Sequence, residues 1–193
     1  LMNKKSSRKN SVSRWPLFLV IACFTLPLVV AWMLVQSPQS VGLGPLLNKG
    51  FLLQPPLDIK SESELKPLQT IVLEPSEWGA ILFTNGLCEP KCLKTLSNLT
   101  VIRELLGHSG SRFKLIGLFE SDEDIPGFLH IRNTNLAQQL AKLVKERGVV
   151  EPVSDGVVFL DWRGQIVSYF VIDADPANIK KDLKRLLRAS KIK

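Results

Sequence analysis

The sequence predicts an α/β fold, a mixed sheet with helices on its faces, preceded by one N-terminal transmembrane helix. Three observations lead to this prediction. Residues 15–35 carry no charge. From residue 70 onward, short apolar runs of strand length alternate with longer amphipathic stretches. The 193 residues suit one compact domain plus an extra segment.

The apolar stretch 15–36 is expected to be a membrane anchor. A helix over these residues is about 30 Å long, which matches the hydrocarbon core of a bilayer. Trp15 and Trp32 lie near its ends, where indole rings favour the interface. The basic tail 1–14 carries five basic and no acidic residues, so the positive-inside rule places it in the cytoplasm. We therefore expect a single-pass protein whose C-terminal domain lies on the outer face of the membrane, which in a bacterium is the periplasmic side of the inner membrane.

The segment after the anchor is expected to be a linker. Residues 37–69 contain five prolines and three glycines, which favour an extended spacer. The folded domain is then expected over 70–193. Between the two basic ends, residues 15–179 hold 13 basic and 17 acidic residues, so the positive charge lies at the ends of the chain and not among base-reading groups on the folded body, where nucleic-acid binding requires it. We expect no nucleic-acid partner.

The helices and strands of the domain are predicted from the periodicity of apolar residues and from the glycines and prolines that separate them. Helices are expected where apolar residues recur on one stripe and a glycine follows, as at Gly107 and Gly148, and where Asp175-Pro176 opens the last helix. Trp162–Gln165 is expected to be a hairpin turn. The predicted elements are strands over 70–73 and 80–84, a helix over 89–106, a strand over 113–119, a helix over 135–147, strands over 157–161 and 166–172, and a helix from 175 onward.

The candidate site is the pair Cys88 and Cys92. Cys88 follows a buried strand and lies near a helix N-terminus, where the dipole favours a thiolate. If both cysteines were helical, their Cα atoms would be about 6.2 Å apart, near the upper limit for a disulfide. Two soft sulfurs on one side also suit Cu(I), whereas closed zinc sites need four ligands. The sequence therefore predicts a functional dithiol.

Four features form a recognisable pattern: the strand 80–84, the Cys-x-x-x-Cys of Cys88 and Cys92, the hairpin 157–170 and the closing segment 173–187. In these features the span 80–193 resembles the SCO family of thioredoxin-fold proteins that assist cytochrome c oxidase assembly. The lead-in 48–56 is similar to a bacterial subgroup of single-span, oxidase-associated membrane proteins.

The resemblance implies a thioredoxin-like domain in which Cys88 and Cys92 are redox thiols, Cu(I) ligands or both. It implies a cytochrome c oxidase subunit, or other copper or thiol assembly factors, as partners. The family's third copper ligand is a histidine that would fall around Val153–Asp155, where this chain has none. His130 is the remaining candidate ligand, and the missing histidine favours thiol–disulfide exchange. Two alternatives stay open: a non-catalytic scaffold beside the oxidase, and a general periplasmic thiol–disulfide oxidoreductase.

Overall fold

The computed structural model describes residues 15–36, 49–121, 125–149 and 152–190. The chain divides into two units, residues 1–46 and 47–193. The first contains helix α1, Trp15–Gln36, at the position of the expected anchor; the tail 1–14 and residues 37–48 lie outside the described residues. Within the described residues, no helix was found that is long and apolar enough to cross a membrane. The anchor therefore stays a prediction.

The second unit is an α/β domain. Two 3-10 helices, Ser63–Thr70 and Gly107–Arg112, accompany its main elements. The main elements in chain order are β1 (Phe51–Asp58), β2 (Trp78–Leu87), α2 (Pro90–Leu105), β3 (Phe113–Glu120), β4 (Phe128–Ile131), α3 (Thr134–Glu146), β5 (Gly156–Asp161), β6 (Gln165–Phe170) and α4 (Pro176–Ala189).

The six strands form one mixed sheet in the order β1-β6-β5-β2-β3-β4. β2, β3 and β4 are parallel to one another, and β5 runs antiparallel to both β2 and β6. β6 consequently runs in the direction of β2. The carboxyl ends of β2, β3, β4 and β6 therefore meet at one edge of the sheet, which is where parallel α/β sheets place their functional groups.

Helices cover both faces of the sheet, as predicted. β2 alternates between two cores: Ile81 and Phe83 pack with α3 and the first 3-10 helix, while Ala80 and Leu82 pack with α2 and α4. This alternation is the period of two that a central strand imposes on its side chains. Helix α2, which carries Cys92, and the C-terminal helix α4 consequently lie on the same face of the sheet.

The structure corrects the predicted linker and the predicted first strand. Residues 51–58, expected in the linker, form β1 and pair with β6; prolines are tolerated there because β1 is an edge strand. Residues 70–73, expected to be a strand, instead end the first 3-10 helix and continue outside the sheet. Ile71 and Leu73 still bury their side chains, which explains the misleading apolar pattern. β4 was not predicted.

Candidate functional site

Cys88 and Cys92 form a disulfide at the carboxyl end of β2. Their Cα atoms lie 5.2 Å apart, within the ordinary range for a disulfide. The expectation of about 6.2 Å assumed two helical residues. Cys88 instead lies before the helix, which begins at Pro90, so its backbone is free to approach Cys92.

The two sulfur-bearing residues have different environments. Cys92 is 3% exposed and belongs to the core beneath α2 and α4, whereas Cys88 is only partly buried at the edge of that core. A thiol from another molecule therefore has access to Cys88 before Cys92. The two sulfurs of the disulfide therefore differ in accessibility.

The N-terminus of α2 adjoins the disulfide. Glu89 is the N-cap residue, and its side chain makes no capping hydrogen bond. Pro90 occupies the first helical position, where its missing N–H costs nothing. The uncapped first turn presents backbone N–H groups and the positive end of the helix dipole at the disulfide. Reduction would thus generate thiolates beside favourable partial charges.

The first turn of α2 is attached to the loop that follows β6. Thr95 is buried, and its hydroxyl is within hydrogen-bonding distance of the Ile172 carbonyl oxygen and 3.0 Å from that of Lys91. Lys91 Nζ also forms an ion pair with Asp173 Oδ2 at 3.1 Å. The hydroxyl joins two elements through buried atoms, while the exposed ion pair adds little. Thr95 therefore positions the turn that carries Cys92.

The end of β2 shapes the other side of the disulfide. β2 pairs with β5 only as far as Phe83, and its register with β3 shifts between Phe83 and Leu87. Gly86 in this stretch has a φ of +113°, a conformation that other residues rarely adopt. Leu87, next to Cys88, is 65% exposed. The bend thus places an exposed apolar side chain beside the accessible cysteine.

The structure does not place His130 in a metal cluster with the cysteines. Among the described residues, no three histidine, cysteine or carboxylate side chains lie close enough together to hold a metal ion. His130 is on β4, and its Nε2 donates a hydrogen bond to the Phe119 carbonyl oxygen at 2.9 Å. Its ring packs against that of Phe119, with centroids 4.8 Å apart. These contacts are those of a structural histidine at the edge of the sheet.

The segment 153–155 lies where the resemblance would place a third copper ligand. It precedes β5, whose first residue, Gly156, pairs with Phe83 near the end of β2. The segment is therefore at the same edge of the sheet as the disulfide, but it contains no histidine. Tyr169 holds this segment in place, because its hydroxyl donates a hydrogen bond to the Asp155 carbonyl oxygen at 2.9 Å.

Sequence reasoning found the two cysteines but missed Thr95 and Asp173. Thr95 is a polar residue on the apolar stripe of α2, and this exception to the stripe was the available signal. Asp173 gave no signal, because its pairing with Lys91 depends on the position of β6 beside β5 in the sheet.

Comparison with solved structures finds chains that are similar at low identity. BsSco, described as a member of the Sco family of cytochrome c oxidase assembly proteins with a disulfide switch, is 13% identical, with a TM-score of 0.42 over 76% of this chain and 97% of that one. Trgpx in its apo form is 11% identical, with a TM-score of 0.40 over 58% and 82% of the two chains. The thioredoxin domain of a thiol-disulfide oxidoreductase from Bacteroides vulgatus is 10% identical, with a TM-score of 0.38 over 58% and 81%.

Comparison at the level of sequence gives a family. No curated protein matches the chain. The family model described as "Transmembrane-like, thioredoxin-like, C-terminal domain" matches residues 78–190, from the start of β2 to the end of α4. The thioredoxin-like fold expected from the sequence is thereby confirmed. The chain belongs to this family of transmembrane-like, thioredoxin-like C-terminal domains.

Proposed function

We propose that the protein exchanges thiols and disulfides through Cys88 and Cys92. The observation that carries the proposal is the disulfide between a partly exposed Cys88 and a buried Cys92 at an uncapped helix N-terminus. The pairing closes a loop of only a few residues. Cross-linking so short a loop restricts the unfolded chain less than a long one does, so a purely structural role explains the bond poorly.

The exchange proceeds in two displacements. A partner thiolate attacks Cys88 Sγ, the bond to Cys92 Sγ breaks, and Cys92 leaves as a thiolate stabilised by the first turn of α2. The second thiol of the partner then attacks its own sulfur in the mixed disulfide and releases Cys88. The partner is oxidised by two electrons, and the protein is reduced to its dithiol. The reverse sequence reduces a disulfide in the partner.

Trapping of the mixed disulfide tests the proposal. In a Cys23→Ser background, Cys92→Ser removes the resolving thiol, so a partner joined to Cys88 should accumulate as a species that dithiothreitol dissociates. The matched Cys88→Ser variant leaves only the buried Cys92 and should trap far less. Equal trapping by both variants, or none by either, would contradict the assigned roles.

We further propose that this exchange serves cytochrome c oxidase assembly at the bacterial inner membrane. The support is the resemblance of residues 80–193 to the SCO family and the uncharged stretch 15–35. A cell that carries both cysteine-to-serine substitutions should then lose oxidase activity, while a variant at Cys23 should retain it. Retained activity with both cysteines replaced would instead favour the scaffold alternative.

Cu(I) is the second candidate cargo of the same site. Breaking the disulfide would leave two thiolates already close together, and Cu(I) favours such soft ligands. With no third ligand clustered among the described residues, a further ligand would come from the protein that receives the ion. Anaerobic Cu(I) titration against a competing chelator should show one ion bound by the dithiol and none by the disulfide. No binding by the dithiol would remove this candidate.

A further inference from the structure

The outer side of α4 carries a row of positive charge. Lys180, Lys184 and Arg188 are spaced four residues apart, so they follow one another along a line of about 12 Å. Ile179, Leu183 and Leu187 each precede a member of the row by one residue and are buried in the core, so they hold this flank of α4 against the domain. The row is therefore fixed on the surface of the domain.

Helix α2 adds exposed apolar residues beside this row. Leu105 lines the same groove as Lys180, Lys184 and Arg188, and the groove has a volume of about 270 Å³. Leu105 is 61% exposed, and Val101, one turn earlier, is 48% exposed. Lys94 is exposed on the same stripe of α2. We call this surface the amphipathic face; its members are Lys94, Val101, Leu105, Lys180, Lys184 and Arg188.

Three carboxylates near the amphipathic face have partners of their own. Asp173 pairs with Lys91, and Asp175 caps α4 by accepting a hydrogen bond from the Ala177 N–H at 2.9 Å. Asp182 is buried and accepts hydrogen bonds from the backbone N–H groups of Lys49 and Gly50. Glu104 lines a different groove, on the far flank of α2. The positive charge of the amphipathic face is thus left for a partner outside the domain.

We propose that the amphipathic face docks on an anionic lipid bilayer. Lysine and arginine attract headgroup phosphates, and exposed apolar side chains between them enter the boundary of the acyl chains. Lipid is favoured over an acidic protein because the uncharged stretch 15–35 would already hold the domain near a bilayer. The inference therefore rests on the membrane attachment in the proposed function.

Docking would restrict which thiols the site meets. Lys94 and Cys92 project from different sides of α2, but both belong to its N-terminal part. Docking through Lys94 would therefore hold the N-terminal part of α2, which carries one half of the disulfide, near the headgroups. The preferred substrates would be cysteines in segments of membrane proteins that emerge at the lipid surface. A soluble protein with buried cysteines would be a poor substrate.

Lysine acylation in the full chain, reconstituted in lipid nanodiscs, tests the docking. We compare discs of phosphatidylcholine with discs that also contain phosphatidylglycerol, and read acylation at each lysine by mass spectrometry. Lys180 and Lys184 should react at least about threefold more slowly in the anionic discs, and 0.5 M NaCl should restore their rates because salt screens exposed charges. Lys142 and Lys145, on α3 across the sheet, are the internal reference.

Paired variants separate charge loss at this face from charge loss in general. Lys180→Gln/Lys184→Gln should abolish the protection of Lys94 in anionic discs, whereas Lys142→Gln/Lys145→Gln should leave it intact. Equal acylation in the two lipids would overturn the inference. So would protection that depends on the number of chains per disc instead of the lipid, since that result identifies a second copy as the partner.

The same experiment distinguishes failure of the anchor from failure of docking. A chain that leaves phosphatidylcholine discs contradicts the proposed attachment through residues 15–36. Anionic discs then measure docking alone: salt-sensitive binding to them supports the inference, and no binding overturns it.

Discussion

At the scale of residues, the site depends on the difference between two cysteines. Cys88 is partly exposed before α2, and Cys92 is buried in its first turn. Sequence spacing could predict the pair but not the asymmetry, because a helical geometry for both residues gives them similar surroundings. Gly86, near the end of β2, has a positive φ, and α2 begins only at Pro90. Cys88 therefore lies between the strand and the helix.

The asymmetry predicts different thiol reactivities. In the reduced protein, Cys88 should react with iodoacetamide at least about ten times faster than Cys92, because a thiolate that solvent reaches is the nucleophile. Quenched alkylation followed by mass spectrometry measures both rates in one sample, with Cys23 counted separately. Equal alkylation rates at Cys88 and Cys92 would contradict the proposal that Cys88 is the sulfur that meets the partner.

Gly86 supports a second prediction at this scale. A Cβ at this position would meet no atom within 4 Å, so Gly86→Ala tests backbone conformation without a steric clash. We expect a loss of about 1 kcal/mol in the free energy of unfolding, because alanine is unfavourable at this positive φ. Urea denaturation of the oxidised protein measures this change in the free energy of unfolding. An unchanged midpoint would show that the bend does not need glycine.

At the scale of elements, Thr95 joins α2 to the loop after β6. Its hydroxyl reaches the Ile172 carbonyl oxygen from a buried position. A polar residue on the apolar stripe of α2 indicates a buried hydrogen bond. The carbonyl oxygen that accepts it could not be predicted, because its position depends on which strand lies beside β5. The same limit explains why β1 and β4 were not predicted from the sequence. Their sequences gave little signal, and their pairing with neighbouring strands makes them strands.

Replacement of Thr95 should loosen this connection. Thr95→Val leaves the Ile172 carbonyl oxygen buried without its donor, which costs about 1–3 kcal/mol in the free energy of unfolding. Thr100→Val is the matched control, since the Thr100 hydroxyl donates only to Leu96 within the same helix; it should cost less than about 0.5 kcal/mol. Chemical denaturation gives both values. Similar losses in the two variants would deny Thr95 a special role.

At the scale of the whole molecule, the domain begins earlier than composition indicates. β1 contributes Leu53 and Leu57 to the core, with exposures of 1% and 0%. Prolines at 55 and 56 mark the segment as a linker by composition, yet an edge strand accepts them. The alternation of later strands and helices was predictable because each element carries its own periodicity. The order of strands in the sheet was not, since long-range pairing sets it.

Truncation tests this boundary. A fragment of residues 47–193 should unfold cooperatively, whereas a fragment of residues 60–193 lacks β1, exposes the edge of β6 and should be strongly destabilised. In the longer fragment, Leu57→Ala should cost about 2–5 kcal/mol, as deletion of a fully buried leucine side chain does elsewhere. Urea denaturation gives the free energy of unfolding of the two fragments and of the Leu57→Ala variant. Equal stability of the two fragments would return residues 47–59 to the linker.

The proposed function requires that the Cys88–Cys92 disulfide is a reversible redox couple. An equilibrium titration of the full chain in glutathione and dithiothreitol buffers, with thiols counted by mass-tagging, tests it most directly. We predict one two-electron transition in the native protein, in which both cysteines convert together. A disulfide that excess dithiothreitol reduces only after the protein is unfolded would contradict the claim, since such a bond is structural.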